Sequence, residues 1–307
     1  MIPYLLKRTF LLVLLFTWFI ISSSAKIILP SVFSDNMVLQ QNSEVAIWGW
    51  SNPGETVKIV AGWNSKDTIK VKADNTAAWK TTIKTGKAGG PYTIQIIGEG
   101  GLELKNVMLG EVWICSGQSN MEMNVGWNIF NGEEEAAKAN HPNIRIFNIP
   151  KIGAEYPQQD CRATWTVCSP ETMRATSAVG YFFARQLQEK LNVPVGIIVT
   201  CWGGTPIEVW IKKSCIENDQ ELNDAKYSLK YDWWPGDPGV CHNSMIAPLI
   251  PYGIAGAIWY QGESNCSNYQ IYGKLMKTLI DSWRTDFKKD FPFYFVQIAP
   301  FNYGENG

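Results

Sequence analysis

Four apolar runs of strand length set the limits on this fold: "VMLGEVWIC" (107–115), "VPVGIIVT" (193–200), "GIAGAIWY" (253–260) and "FPFYFVQIAP" (291–300). A strand wetted on one face alternates apolar and polar residues, whereas a strand covered on both faces reads as a continuous apolar run. Between these runs lie segments of helical character. "NGEEEAAKAN" follows the first. "ATSAVGYFFARQLQEKLN" puts Val179, Phe182, Phe183, Leu187 and Leu191 at helical spacing, with Ser177 or Thr176 placed to cap it. "YQIYGKLMKTLIDSWRTDF" precedes the last run, and "NIRIFNI" reads as a further strand. Strands alternating with helices predict an α/β fold, a parallel sheet with helices on both faces. Such sheets bind ligands beyond the carboxyl ends of their strands.

The preceding stretch has another rhythm. "EVAIWGW", "ETVKIVAGW", "DTIKVKAD", "AAWKTTI" and "YTIQIIGE" are short alternating runs separated by "SNPGE", "ADNTA" and "TGKAGGP". That spacing predicts a small antiparallel β-sandwich over residues 26–106, ahead of the α/β domain at 107–307.

At the amino end, Lys7 and Arg8 precede the 13 residues "TFLLVLLFTWFII", and "SSSA" closes at Ala25. A positive start, a short apolar stretch and a small-residue exit predict a secretory signal peptide over residues 1–25. An uncleaved anchor is the alternative, but a span needs about 20 apolar residues. The expected location is therefore periplasmic or secreted, with no stable membrane partner after cleavage. Cleavage takes away two cations and no acid, moving the formal charge from −1 to −3. With no long run of one sign, a nucleic-acid partner is not expected. Seven cysteines form no C-x-x-C pair and sit mostly among apolar neighbours, so they read as buried small hydrophobes. Cys161–Cys168 is the one pairing considered. Two histidines without metal-ligand spacing predict no zinc site, and no cofactor is expected.

Three of the strands end in polar clusters: "SGQSN" (116–120), "WGGT" (202–205) and "QGESN" (261–265). Each alone is an ordinary turn. Together, at one rim, they supply the parts of acyl transfer. Ser119 offers a hydroxyl nucleophile, and the resulting oxyanion needs fixed donors. Gly203 and Gly204 allow backbone N–H groups to approach a ligand closely. They precede "TPIEVW", read as the start of a helix whose dipole would assist, with Pro206 in its first turn. Gln261 offers an amide donor, and Glu263 can orient neighbours or accept from a sugar hydroxyl.

"GEVWICSGQSNMEM", "CWGGTPIEVW" and "IWYQGESN" resemble the sialate O-acetylesterases of the SGNH hydrolase group, and "LPSVFSDNMVLQQ" resembles the opening of bacterial members. The resemblance runs from about Ile27 to the end. It implies Ser119 as nucleophile, Gly203 or Gly204 as an oxyanion donor, and Gln261 as its side-chain donor. The implied partner is an O-acetylated sialic acid or other glycan, cleaved to acetate and the free hydroxyl.

The family also places an Asp-x-x-His pair beyond the fifth strand, and the sequence to Gly307 does not contain it. His141 stands at the entry of a predicted strand, opposite the rim. His242, in "CHNSMIAPL", precedes an apolar segment and reads as packing. Asp281 and Asp286 read as surface or capping acids. The expectation is a serine esterase of weak or no activity as given. Two alternatives remain: a non-catalytic glycan-binding protein using some of the 14 tryptophans, or an esterase for acetylated xylan or another polysaccharide. "YDWWPGDPG" (231–239) would set that specificity.

Overall fold

The computed structural model describes residues 26–300. The expected signal peptide lies outside the described residues. The strands are β1 (Val38–Gln40), β2 (Glu44–Trp50), β3 (Thr56–Ala61), β4 (Ile69–Lys72), β5 (Ala78–Lys84), β6 (Gly89–Ile97), β7 (Leu102–Gly117), β8 (His141–Asn148), β9 (Trp165–Cys168), β10 (Val195–Cys201), β11 (Gly256–Tyr260) and β12 (Phe293–Phe295). The helices are α1 (Ser119–Glu122), α2 (Gly132–Ala137), α3 (Pro170–Arg174), α4 (Ala178–Leu191), α5 (Lys213–Glu217), α6 (Gln220–Ala225) and α7 (Tyr272–Phe287).

The α/β sheet runs in the order β9-β8-β10-β7-β11-β12. Every pairing in it is parallel except β8 with β9, an antiparallel edge. The apolar runs are continuous because alternate residues feed two cores. Val112, Ile114, Ile198, Ala257 and Trp259 face α7 through Leu275, Leu279 and Trp283. Trp113, Cys115, Ile144, Ile146, Ile197 and Ile258 face α4 through Tyr181 and Ala184. Helices on both faces are thus borne out. Ser177 caps α4, its hydroxyl accepting from Gly180 N–H at 2.9 Å.

The antiparallel runs before Val107 are present as β2 to β6, with ladders β4-β3-β6-β7 and β2-β5. They do not enclose a core of their own: Val45, Ile47, Val57, Ile59, Ile94 and Ile96 join the core that α7 covers. The reason is β7, a strand of 16 residues. Up to Gly110 it pairs with β6 and β1, from Glu111 with β10, and from Trp113 with β11. The change of rhythm at Val107 is a change of partners along one strand.

Candidate active site

The carboxyl ends of β7, β10 and β11 lie at one level. Gly117 is the register partner of both Cys201 and Tyr260. The three polar clusters therefore leave the sheet side by side, "SGQSN" between the other two. Gly117 makes this closeness possible: it has φ +142°, and a β-carbon there would fall 2.1 Å from the Tyr260 carbonyl oxygen. Gln118 N–H donates to that oxygen at 3.0 Å, and Trp202 N–H donates to Gly117 O at 3.1 Å.

Ser119 opens the single turn α1 immediately beyond this junction. Gly203 packs against it: a β-carbon on Gly203 would lie 3.5 Å from Ser119 Cβ and 3.6 Å from its Cα. Sequence reasoning put these residues together, and the fold does so. Glu122 was not foreseen. It sits one turn after Ser119, accepts the Gly203 N–H at 2.5 Å, and pairs with Lys151 Nζ at 2.5 Å. Beside this group a cavity of about 220 Å³ opens, lined by Glu122, Asn124, Asn148, Lys151, Ser177 and Cys201 among others.

The segment after the glycines departs from expectation. "TPIEVW" is no α-helix but one 3₁₀ turn, Ile207–Trp210, with Pro206 as its N-cap at ψ 160°. A single turn aligns too few peptides for the dipole assistance expected at Gly203 and Gly204. Gly204 has φ +80°, and the Trp234 ring lies where its β-carbon would be, 2.4 Å from Cδ2 and Cε3.

Gln261 is turned inward. Its Nε2 donates to Thr205 O at 3.2 Å and Asn265 Oδ1 at 2.8 Å, while its Oε1 accepts from Tyr272 OH at 2.7 Å. Glu263 orients a neighbour, its Oε1 accepting from Asn120 Nδ2 at 2.5 Å, whereas its Oε2 is buried without a partner.

What binds the clusters together is a set of side chains the sequence reading passed over. Gln118 Oε1 accepts from Gly262 and Ser264 N–H, both at 3.3 Å. Ser264 Oγ donates to Gly204 O at 2.8 Å. Glu208 is fully buried. It accepts from Tyr227 N–H at 2.9 Å, Asn268 Nδ2 at 2.8 Å and Asn265 Nδ2 at 2.8 Å. Asn265 Oδ1 in turn accepts from Ile207 N–H at 2.9 Å. The available signal was a lone acid inside the apolar "PIEVW". A carboxylate in that setting must be satisfied by donors nearby.

Neither histidine stands at the rim. His141 begins β8, at the amino end of the sheet. His242 is buried in a π-helical turn, and its Nε2 lies 3.1 Å from Asp286 Oδ2. Asp286 is one residue from the carboxyl end of α7, whose amino end, Tyr272, touches Gln261. At 1.5 Å per residue the helix carries Asp286 and His242 about 20 Å from the rim. Asp286 is also no surface acid: its side chain is 8% exposed and bonded by Lys212 Nζ as well. Burial works to raise its carboxyl pKa, and the hydrogen bonds and charges of His242 and Lys212 outweigh it, holding the group below its ordinary value. Cys161 and Cys168 are free thiols, pushed up by burial to about 12 and about 11.

A serine on a turn at the carboxyl rim of a mostly parallel α/β sheet, with glycine backbone packed on it, defines an SGNH-like hydrolase fold. Residues 109–306 match the family described as carbohydrate esterase, sialic acid-specific acetylesterase, and the chain belongs to it. Curated relatives include the sialate O-acetylesterases of Homo sapiens, 34% identical over 88% of this chain, and Mus musculus, 31% over 88%. A solved structure of a carbohydrate acetylesterase from Xanthomonas citri superposes with a TM-score of 0.78 at 33% identity, covering 88% of this chain and 60% of that one. The chain spans 56% of the human protein's length and 60% of the mouse protein's.

Proposed function

We propose that this chain carries the nucleophile and oxyanion side of a serine esterase that removes O-acetyl groups from sialic acid or a related glycan. The observation that carries this reading is the packing of Gly203 on Ser119 at a rim where three polar strand ends meet in register. Its family membership supplies the substrate class.

In this reading Ser119 Oγ attacks the acetyl carbonyl carbon. The negative charge that develops on the carbonyl oxygen is met by backbone N–H groups of the glycine block. Gly203 N–H is given to Glu122 in this structure, so that carboxylate must yield before Gly203 can donate to an oxyanion. Gln261 reaches the same oxygen only by releasing Asn265 or Thr205, and we assign it to holding the "QGESN" turn. Glu263 acts on Ser119 indirectly, through Asn120. The alcohol leaves with a proton, and water then attacks the acetyl-serine to give acetate.

Both steps need a base. The two histidines of this sequence stand away from Ser119, so slow turnover is expected of these residues alone. In one well-studied serine protease, loss of the base costs on the order of 10⁶ in turnover while about 10³–10⁴ over water survives. The chain is further proposed to act after export, by the leader at residues 1–25.

The test is acetate release from an O-acetylated sialic acid by the chain and by its Ser119→Ala variant. Slow release that Ser119→Ala removes supports the proposal. Release equal in the two proteins, both folded, rejects Ser119 as nucleophile.

A further inference from the structure

The loop expected to set specificity, residues 231–239, meets the rim through one tryptophan. Trp234 lies on Gly204, the residue that follows Ser119's neighbour Gly203, and the positive φ at Gly204 leaves that face open for the ring. Trp233 lies across Trp234 with centroids 5.4 Å apart at 79°, and Tyr231 lies 4.6 Å from Trp234 and 5.8 Å from Trp233. Trp234 is thus wedged under the other two, yet Trp233 is 65% exposed and Tyr231 41% exposed. Both ends of the loop hang from one buried residue: Tyr227 N–H donates to the Glu208 carboxylate at 2.9 Å and Gly239 N–H to the Glu208 carbonyl at 3.1 Å.

Two wet aromatic faces held by a half-buried anchor are costly to leave uncovered unless something covers them in use. Their place decides what that is, for through Trp234 and Gly204 they connect to the glycine packed on Ser119. We propose that Trp233 and Tyr231, anchored by Trp234 on Gly204, form a subsite that stacks on the pyranose ring carrying the acetyl group Ser119 attacks. The inference rests on the esterase reading for the identity of the sugar and extends it to named binding residues.

The physical fit is specific. Sugar rings present apolar C–H faces, and an aromatic face covers them at little loss of side-chain freedom. A ring stacked on Trp233 and Tyr231 lies beyond Trp234, which rests on Gly204, and Gly204 is one residue, about 3.8 Å along the backbone, from the glycine against Ser119. That line of contacts, from Trp233 through Trp234 to Gly204, ends beside the glycine packed on Ser119, which is the ground for setting the acetylated sugar on this platform.

Binding tests this without turnover. The full chain carrying Ser119→Ala is titrated with the methyl glycoside of an O-acetylated sialic acid, read by tryptophan fluorescence and saturation-transfer NMR. Trp233→Ala and Trp233→Phe are compared in the same background. Loss of one stacking contact is expected to weaken Kd roughly fivefold, equivalent to about 1 kcal/mol at 1.4 kcal/mol per tenfold. Trp233→Phe should keep most of the affinity, and thermal midpoints should agree because Trp233 is exposed. Equal affinity in Trp233→Ala, or no sugar bound by the parent, overturns the subsite. A dimer dispersed by Trp233→Ala at unchanged sugar affinity assigns the patch to a second copy and also overturns it. Sugar binding that depends on Trp233, without acetate release dependent on Ser119, keeps the subsite and removes the esterase reading. Ser119-dependent release with no effect of Trp233 does the reverse.

Discussion

Replacing Glu208 by Gln changes one atom and should cost the fold a measurable part of its stability. The carboxylate accepts three hydrogen bonds, two on Oε1 from Tyr227 N–H and Asn268 Nδ2 and one on Oε2 from Asn265 Nδ2. An amide of the same shape keeps one acceptor. In its better orientation it still serves Tyr227 and Asn268, but it turns an NH₂ toward the Asn265 NH₂. One bond to a charged acceptor is then lost, at about 1.5–3 kcal/mol, and two others fall to the neutral range of roughly 0.5–1.5 kcal/mol each. Asn265 Nδ2 keeps its second bond, to Asn268 Oδ1 at 3.0 Å. Burying a neutral amide is also cheaper than burying a charge. The net expectation is a loss of about 2–3 kcal/mol. At roughly 2–4 °C per kcal/mol for domains of 150–250 residues, the melting midpoint should fall by about 5–10 °C. Differential scanning calorimetry of the two proteins at pH 7 reads it directly. A midpoint lowered by less than about 2 °C would show that the carboxylate does not carry the three bonds, and the account of how the clusters are tied together would fall.

Gly204→Ala forces a β-carbon to 2.4 Å from the Trp234 ring at φ +80°; it should cost at least about 1–2 kcal/mol and alter the near-ultraviolet dichroism, whereas Gly86→Ala, with nothing within 4 Å, should do neither. Asp286 is held below its ordinary carboxyl pKa of 3.8, so its contribution is complete above the unfolded value and is lost as pH falls through the folded one. The deficit in melting midpoint of Asp286→Asn should therefore be full at pH 5 and shrink on acidification below about pH 4; a constant deficit down to pH 3 refutes the pairing. Cys266 is the exposed thiol and Cys215 the half-buried one. A maleimide should label Cys266 first in the native protein and all seven cysteines after denaturation; five labelled would mean a disulfide has formed.

How far the sequence carried depends on whether a feature is periodic or singular. The parallel strands and α4 were legible because burial on two faces, or on one helical stripe, repeats along the chain. β9 was not: "WTVC" is four residues at an edge, too short for a period to show. Ser119 and Gly203 were legible as neighbours because strand ends in a parallel sheet fall on one rim. The 3₁₀ turn at Ile207–Trp210 was not, since Pro206 at ψ 160° suits the residue before a helix as well as a tight turn. Gln261 was placed on the right turn, but its amide direction is set by Asn265, Thr205 and Tyr272, partners that only the folded chain brings together. Asp286 looked like a surface acid because α7 is amphipathic and the residue sits at its end; His242 and Lys212, far off in sequence, close over it.

Glu208 also joins two things that a cleft of this kind must keep in step. Through Asn265 and Asn268 it fixes the "QGESN" turn, which holds Ser119's turn by way of Gln118. Through Tyr227 and its own carbonyl to Gly239 it fixes the loop that carries Trp233. The turn of Ser119 and the loop of Trp233 therefore share one buried support, both tied by hydrogen bonds to the same residue. On the proposed esterase reading, cutting the support is expected to lower binding and attack together, whereas Ser119 and Trp233 can each be removed alone. That separability is why Ser119→Ala is the right background in which to measure sugar affinity.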